Sequence, residues 1–188
     1  MAEPATNAEH FDLLVDWLPS NDDPERPRIT LSTAEPDART VLLTEFDELG
    51  FYVHTDSRSR KVEQLAADPR VALTFLWPDY SRQLVVLGTA EIAPAEEQDR
   101  AYRNRSAYLK QLAWQNSPEF AQLPYGDRQR LWASFADDEQ LRHPPETWIG
   151  YLVRPHRLTF WQSDPTTASR RTEFTLVDGV WQKAFLPG

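Results

Sequence analysis

The sequence predicts a β-rich α+β fold, an antiparallel barrel or strongly bent sheet with peripheral helices. Three observations carry this. Five segments rich in apolar and β-branched residues crowd between residues 28 and 92 with only short turns between most of them. Helical spacing is confined to one stretch before them, one short stretch within them and one long stretch after. Strand character then returns near the C-terminus. Strands joined this briefly pair with their neighbours antiparallel and curl to bury one face.

Taken in order, residues 1–8 are small and polar and are expected to be disordered, leaving 9–188 as a single domain. Phe11, Leu13, Leu14, Trp17 and Leu18 fall at helical spacing, and the stretch from Pro19 to Pro24 stops that helix. Arg28–Thr33 alternates like a half-buried strand, Glu35-Pro36-Asp37 turns the chain into a strand at Arg39–Thr44, and a turn over Glu45–Gly50 sends it back along Phe51–Thr55. A helix after Ser57 places Val62, Leu65 and Ala66 on one face. Val71–Trp77 reads as a central strand, and Arg82–Ile92 as a long one returning beside it. Pro94 suits a helix start, and Ala95–Gln115 forms one helix or two. From Asn116 to Glu146 the chain is acidic and helical in pieces, with Leu131, Trp132 and Phe135 as its clear apolar face. Strands are expected at Trp148–Val153, Arg157–Trp161, Glu173–Leu176 and Trp181–Phe185.

Composition narrows the chemistry. A chain of 188 residues, 40% of them hydrophobic, can bury a real core. Seven Trp suit ring-binding pockets and interfaces as well as core packing. Twenty-nine acidic residues against 20 basic ones give a net charge of −9, which argues against nucleic acid or an anionic membrane as partner. An anionic ligand must therefore be caught by a local pocket. The absence of Cys excludes disulfides, thiol chemistry and thiolate metal sites. No apolar run approaches a membrane span, and Met1-Ala2-Glu3-Pro4 lacks the plan of a signal peptide, so a cytoplasmic protein is expected.

Conventional catalytic motifs are missing. His10, His54, His143 and His156 show no metal-ligand spacing and are expected as surface or strand residues, so neither a metal nor a catalytic side chain is predicted. The pairs Glu96-Glu97 and Asp137-Asp138 read as solvated helix faces. There is no nucleophile elbow, P-loop or dinucleotide fingerprint, and six Gly are too few for such loops. An enzyme of this composition would rely on an organic cofactor. One stretch offers a place for it. After the strands at 39–44 and 51–55, a helix opens on Ser57-Arg58-Ser59-Arg60-Lys61, where backbone N–H groups and cations suit a phosphate. The same residues also read as a hairpin running into a helix with a solvated basic end.

The ordered set of motifs decides between these. Arg39-Thr40-Val41-Leu42-Leu43, Ser59-Arg60-Lys61, Arg82-Gln83-Leu84-Val85-Val86-Leu87-Gly88, Trp148-Ile149-Gly150-Tyr151 and Phe160-Trp161-Gln162 resemble, in order and approximate spacing, the motifs of the pyridoxamine 5′-phosphate oxidase family. The likeness runs from about Phe11 to Gly188. It implies an FMN-binding split β-barrel that forms a homodimer, with flavins in the clefts between subunits. By resemblance, Arg39, Ser59, Arg60 and Lys61 hold the flavin phosphate, and Val41, Leu42, Leu43 and Thr44 border the isoalloxazine through backbone groups. His54 and Thr55 stand where the family has a Tyr-Thr pair lining the flavin. Gln83 bonds the ring, Trp161 closes over it from the neighbouring chain, and Gln115 and Ser117 correspond to a Gln-Ser pair near the phosphate.

The substrate motifs match less well. The family's Lys after the Val-Leu-Leu run is Thr44 here. Of the Tyr, Arg and Ser that complete its substrate-phosphate site, Arg105 matches, Tyr102 lies one place from the Tyr, and the Ser aligns with Leu109. The Arg-x-His-Asp-Arg that covers the substrate is replaced by Ser169-Arg170-Arg171-Thr172-Glu173, where Arg170 or Arg171 compensates from a shifted backbone. The resemblance implies oxidation of a small aromatic substrate by hydride transfer to flavin, with oxygen as acceptor. The substrate is then pyridoxamine or pyridoxine 5′-phosphate, or another ring, as in phenazine-pathway relatives. The alternatives are a flavin- or deazaflavin-binding barrel with a different substrate, or one without catalytic activity.

Overall fold

The computed structural model describes residues 3–4, 9–79, 81–135 and 139–188. The rest of the stretch expected to be disordered, residues 1–2 and 5–8, lies outside the described residues, as do Tyr80 and the Asp137-Asp138 pair. The chain forms two compact units, one of Met1–Val53, Gln64–Glu91 and Tyr151–Gly188, the other of His54–Glu63 and Ile92–Gly150.

The first unit carries the sheet. Its elements are β1 (Glu3–Pro4), α1 (Glu9–Trp17), β2 (Arg28–Thr33), β3 (Asp37–Leu42), β4 (Glu45–Asp47), β5 (Gly50–Asp56), α2 (Arg60–Ala67), β6 (Arg70–Leu76), β7 (Arg82–Ile92), β8 (Trp148–Gln162), β9 (Arg170–Val177) and β10 (Val180–Pro187), with the ends of β5, α2, β7 and β8 reaching into the second unit. The strands join in the order β1-β10-β9-β8-β7-β6-β2-β3, and β5 pairs with both β4 and β8. Neighbours such as β2 with β3, β6 with β7 and β8 with β9 run antiparallel. Alternation supplies the core: Ile29 and Leu31, then Val71, Leu73 and Phe75, then Leu84 and Val86 are buried, while residues between them are more exposed. Each such side chain contributes about 1.5–3 kcal/mol of transfer free energy.

Two features of the sheet differ from expectation. The stretch read as a turn, 45–50, contains β4, because Asp47 Oδ1 accepts from Leu49 N (2.8 Å) and Gly50 N (3.2 Å) and so compresses the reversal into the residues after it. Residues 148–162 form one strand rather than two, continuing through Pro155. A Pro punctuates a strand only where its missing N–H would have entered the ladder. Gly50 has φ +147°, and a Cβ there would overlap the Val153 carbonyl oxygen; a Cβ on Gly88 would lie 2.5 Å from the Arg154 carbonyl oxygen.

Helix α1 puts His10, Leu14 and Trp17 on one buried face. His10, expected on a surface or strand, stacks on Trp181 at 4.4 Å, and Trp17 meets Phe160 edge-on at 5.1 Å. Its spacing from Leu14 and Trp17 carries it inward with them.

The second unit is helical: α3 (Ala95–Arg103), α4 (Ala107–Gln115), α5 (Pro118–Gln122), α6 (Tyr125–Ser134) and a single 3₁₀ turn, Gln140–Arg142. Ala95–Gln115 divides because Ser106 starts a new helix, its Oγ accepting from Leu109 N at 3.3 Å. Helix α6 buries none of its residues, and Leu131 on the expected apolar face is 47% exposed.

His10 yields a pH prediction. Burial lowers its pKa from the usual 6.5, with Asp12 opposing, and its Nδ1 has no hydrogen-bond partner among the described residues. Below 6.5 the unfolded chain takes up a proton that the folded one refuses, so stability falls as pH drops through that value. The urea midpoint should decline from about pH 7 to about pH 5, and His10→Phe should flatten that component.

Candidate cofactor and substrate site

In the second unit the end of β5 and the start of α2 form one tight turn. Ser59 N donates to Asp56 O (3.1 Å), Val62 N to Ser59 O (2.8 Å) and Ser57 N to Thr147 O (2.7 Å). Arg58 is occupied by Asp56, with Nη2–Oδ2 at 2.8 Å and its backbone N–H on Oδ1 at 2.8 Å. Burial pushes the Asp56 carboxyl up, but the bonds from Arg58 outweigh it and leave it below the usual range. Lys61 Nζ donates to Thr55 Oγ1 at 2.8 Å, and the Thr55 and Ser59 hydroxyls lie 3.4 Å apart. An ammonium, two hydroxyls and the first turn of α2 thus gather in one place, a donor set suited to a phosphate monoester.

His54, one residue earlier, turns its side chain inward. Its ring is fully buried and stacked on Trp148 at 4.9 Å with 10° between planes, and Nε2 is 3.3 Å from Glu97 Oε2. Glu97, expected on a solvated helix face, is only 6% exposed. Two buried polar side chains held this close make the contact a local constraint.

Around Trp148 lie the residues expected to hold substrate. Tyr102 is fully buried, meets Trp148 edge-on at 5.5 Å and accepts from Trp114 Nε1 at 3.1 Å; burial pushes its phenol pKa up. Arg105 places its guanidinium carbon 4.5 Å from the Trp148 ring centroid. Burial lowers its pKa to about 10, Tyr102 opposing, and no carboxylate pairs with it among the described residues. A desolvated guanidinium lying on an aromatic face is a site for an incoming anion. Leu109 sits in the first turn of α4. Gln115 ends α4, accepting from Gln111 Nε2 (2.9 Å) and donating to Leu131 O (3.1 Å), while Ser117 caps α5 through Phe120 N (3.1 Å).

The remaining expected residues belong to the first unit. Arg39 Nη2 holds Asp37 Oδ2 (2.6 Å) and Gln64 Oε1 (2.7 Å), and Nη1 reaches Thr33 Oγ1 (3.3 Å). Val41 and Leu42 end β3, which among the described residues pairs only with β2, so one backbone edge of that strand lies outside the ladder. Leu43 N donates to Pro27 O (2.9 Å) and Thr44 N to Tyr52 O (2.8 Å). Gln83 pairs with Leu76 near the start of β7 and is half-buried.

Trp161 stands directly opposite Arg171 on β9, and its Nε1 donates to Ser169 Oγ at 2.9 Å. Strand alternation therefore places Trp161, Ser169, Arg171 and Glu173 on one face. Arg170 is on the other, its guanidinium carbon 4.1 Å from the Phe185 centroid, in the wall of a cavity of about 660 Å³ with Arg82, Gln162 and Thr172. Sequence reasoning missed Glu97, Trp148 and Ser169 as site residues. The four-residue spacing of Glu97 and Ala101 was the available signal for the first, since it puts both on the buried face of α3.

This sheet, with its basic helix start, is the split β-barrel fold of FMN-binding proteins. It matches the crystal structure of PhzG from Burkholderia lata 383 in complex with tetrahydrophenazine-1-carboxylic acid, with TM-score 0.75 and 20% identity over 96% of this chain and 93% of that one. It also matches a pyridoxamine 5′-phosphate oxidase-related, FMN binding protein from Nostoc punctiforme, with TM-score 0.70 and 16% identity over 86% and 87% of the two chains. Residues 23–138 fit the family model for pyridoxamine 5′-phosphate oxidase, and 148–186 fit the C-terminal dimerisation region of pyridoxine 5′-phosphate oxidase. The pyridoxine/pyridoxamine 5′-phosphate oxidase of Pseudomonas paraeruginosa is 33% identical over 196 residues, 97% of this chain and 90% of the relative. The chain belongs to the pyridoxamine 5′-phosphate oxidase family, a class of flavin oxidoreductases, and its match to the dimerisation region supports a homodimer. No helix among the described residues is long and apolar enough to cross a membrane.

Proposed function

We propose that this protein is an FMN-dependent oxidase of a small anionic aromatic substrate, working as a cytoplasmic homodimer with flavin at the subunit interface. The observation that carries the reading is the gathering of Lys61, Thr55 and Ser59 at the first turn of α2. An ammonium and two hydroxyls, with Arg60 beside them in the chain, answer a dianionic phosphate. Bound there, FMN would supply a two-electron acceptor, with oxygen regenerating it. By the family resemblance, Val41 to Thr44 would border the ring through backbone groups, Gln83 would bond it, and Arg39 would join the phosphate set. Gln115 and Ser117 would serve the phosphate, His54 and Thr55 would line the ring, and Trp161 of the partner subunit would close over it. The chain's own contribution to rate is orientation, since no acid–base side chain is required.

On the substrate side, Arg105 holds an anionic group and Tyr102 supports it from beneath Trp148. Pyridoxamine or pyridoxine 5′-phosphate is the first candidate. A ring carrying a carboxylate, of the phenazine type, is the second, favoured by Thr44 in place of Lys and by Arg171 sharing the Trp161 face. Losing one charged contact weakens anion binding by about 1.5–3 kcal/mol, which bears hardest on a phosphate.

Release of cofactor from purified protein and identification by mass tests the first half of the reading: FMN supports it, and deazaflavin or a colourless protein that takes up no FMN overturns it. Peroxide release with pyridoxamine 5′-phosphate tests the second half; flavin binding without turnover on this or on carboxylated rings leaves a binding protein. Replacing Arg60 and Lys61 together by Ala should raise the FMN dissociation constant at least about a hundredfold, two charged contacts at the magnitude above, while circular dichroism stays unchanged. Arg105→Ala should raise substrate KM by about tenfold or more and leave FMN affinity within about twofold, read by steady-state kinetics and flavin titration.

A further inference from the structure

We propose that His54 and Glu97 act as a positioning pair: one buried contact fixes the turn bearing Thr55, Ser59 and Lys61 and, through Trp148, sets the guanidinium of Arg105. The inference rests on the cofactor reading above and deepens it, because it links the cofactor phosphate site to the substrate anion site within the second unit.

Four observations support it. His54 is adjacent in the chain to Thr55, the acceptor of the Lys61 ammonium. The His54 ring lies flat on Trp148, and Trp148 also carries Arg105 at 4.5 Å and meets Tyr102 edge-on. The strand beneath is shaped for this ring, since a Cβ at Gly150 would lie 2.6 Å from His54 Nε2 and 2.8 Å from its Cδ2. Finally, Gln98 clamps α3 to that strand: its Oε1 accepts from Gly150 N (2.9 Å), its Nε2 donates to Ala93 O (2.7 Å), and its backbone oxygen accepts from Trp148 Nε1 (3.2 Å). The clamp delivers the neighbouring Glu97 carboxylate to His54, 3.3 Å away.

Both side chains are withdrawn from water, so the contact between them ties the end of β5 to α3 at one place. The charged and titratable groups around the imidazole are Glu97 from α3, Tyr102 at the edge of Trp148, and Arg105, reached through that indole. Neither Glu97 oxygen has a hydrogen-bond partner among the described residues, and the approach of His54 Nε2 to 3.3 Å is a close contact without hydrogen-bond geometry. The pairing is therefore Glu97's main commitment.

The test uses the full-length protein and three variants, His54→Phe, Glu97→Gln and the double. His54→Phe keeps a flat ring on Trp148, and Glu97→Gln keeps the shape while removing the charge. Each is measured for thermal midpoint, for FMN dissociation constant by flavin fluorescence, and for amide hydrogen exchange across residues 54–63 and 102–106. Each single variant should raise the FMN constant by about tenfold and speed exchange in both segments, and the double should be no worse than the poorer single because the residues act as a unit. Effects that multiply in the double, or constants and exchange within about twofold of the parent, would overturn the pair. If His54→Phe does not fold, Glu97→Gln decides alone: a rise of about tenfold in the FMN constant with faster exchange in both segments supports the pair, and values within about twofold of the parent overturn it. A parent that binds no FMN, with exchange still accelerated in Glu97→Gln, upholds the positioning role and overturns the cofactor reading instead.

Discussion

The backbone carbonyls of Val153 and Arg154 occupy the space that side chains at Gly50 and Gly88 would need, and this close approach sets the course of the strands around β8. Gly50 opens β5 and Gly88 lies within β7. With no Cβ at either point, two neighbouring strands can draw against the centre of β8, and one of them, β5, runs on without a break into the turn that carries Thr55, Ser59 and Lys61. A positive φ at Gly50 is open to glycine at little cost and to other residues only under strain.

Charge placement separates the cations of this acidic chain into two kinds. Among the described residues, five arginines answer a carboxylate two or three residues away: Arg39 with Asp37, Arg58 with Asp56, Arg70 with Asp68, Arg130 with Asp127 and Arg142 with Glu139. Arg70 holds the Asp68 carboxyl down at about 2 through short side-chain bonds. Exposed pairs of this kind contribute little to stability, but they neutralise cations that would otherwise attract any passing anion. Arg105 is treated differently. Its guanidinium lies on an indole, partly stripped of water and without a carboxylate, so an anion that reaches it regains solvation the protein has withheld. Local selection of this sort does not depend on net charge.

The sequence made legible what local spacing encodes. The alternation of Ile29 and Leu31, or of Leu84 and Val86, reads directly as a half-buried strand, and the structure has those strands within two residues of the expected ends. The motif series from Arg39 to Trp161 was likewise sufficient to place the chain in its family. What escaped was decided by contacts between distant segments. Pro155 looks like a strand break until β8 is seen to continue through it. His10 looks like a surface residue until Trp181, far along the chain, covers it. Glu97 sits beside Glu96 in a charged run, and only the register of α3 against His54 separates the buried carboxylate from its solvated neighbour.

The adjacent pair Arg170 and Arg171 shows how such contacts bear on specificity. By composition the two are interchangeable, yet the pleat sends them to opposite faces, and pairing of Trp161 with Arg171 decides which one accompanies the indole. Ser169 joins that face through its bond to Trp161 Nε1, and Glu173 joins it with its carboxylate accepting from Thr159 Oγ1 at 3.1 Å, 4.0 Å from Arg157 Nε. That face therefore carries the guanidinium of Arg171, the hydroxyl of Ser169, and a Glu173 carboxylate already engaged by Thr159 and near Arg157. Arg170 lies on Phe185 and lines a cavity that also takes in Ser169. A guanidinium fork grips a carboxylate as readily as a phosphate, so the two arginines differ in the neighbours the pleat gives them, Trp161 and Ser169 for one and Phe185 for the other.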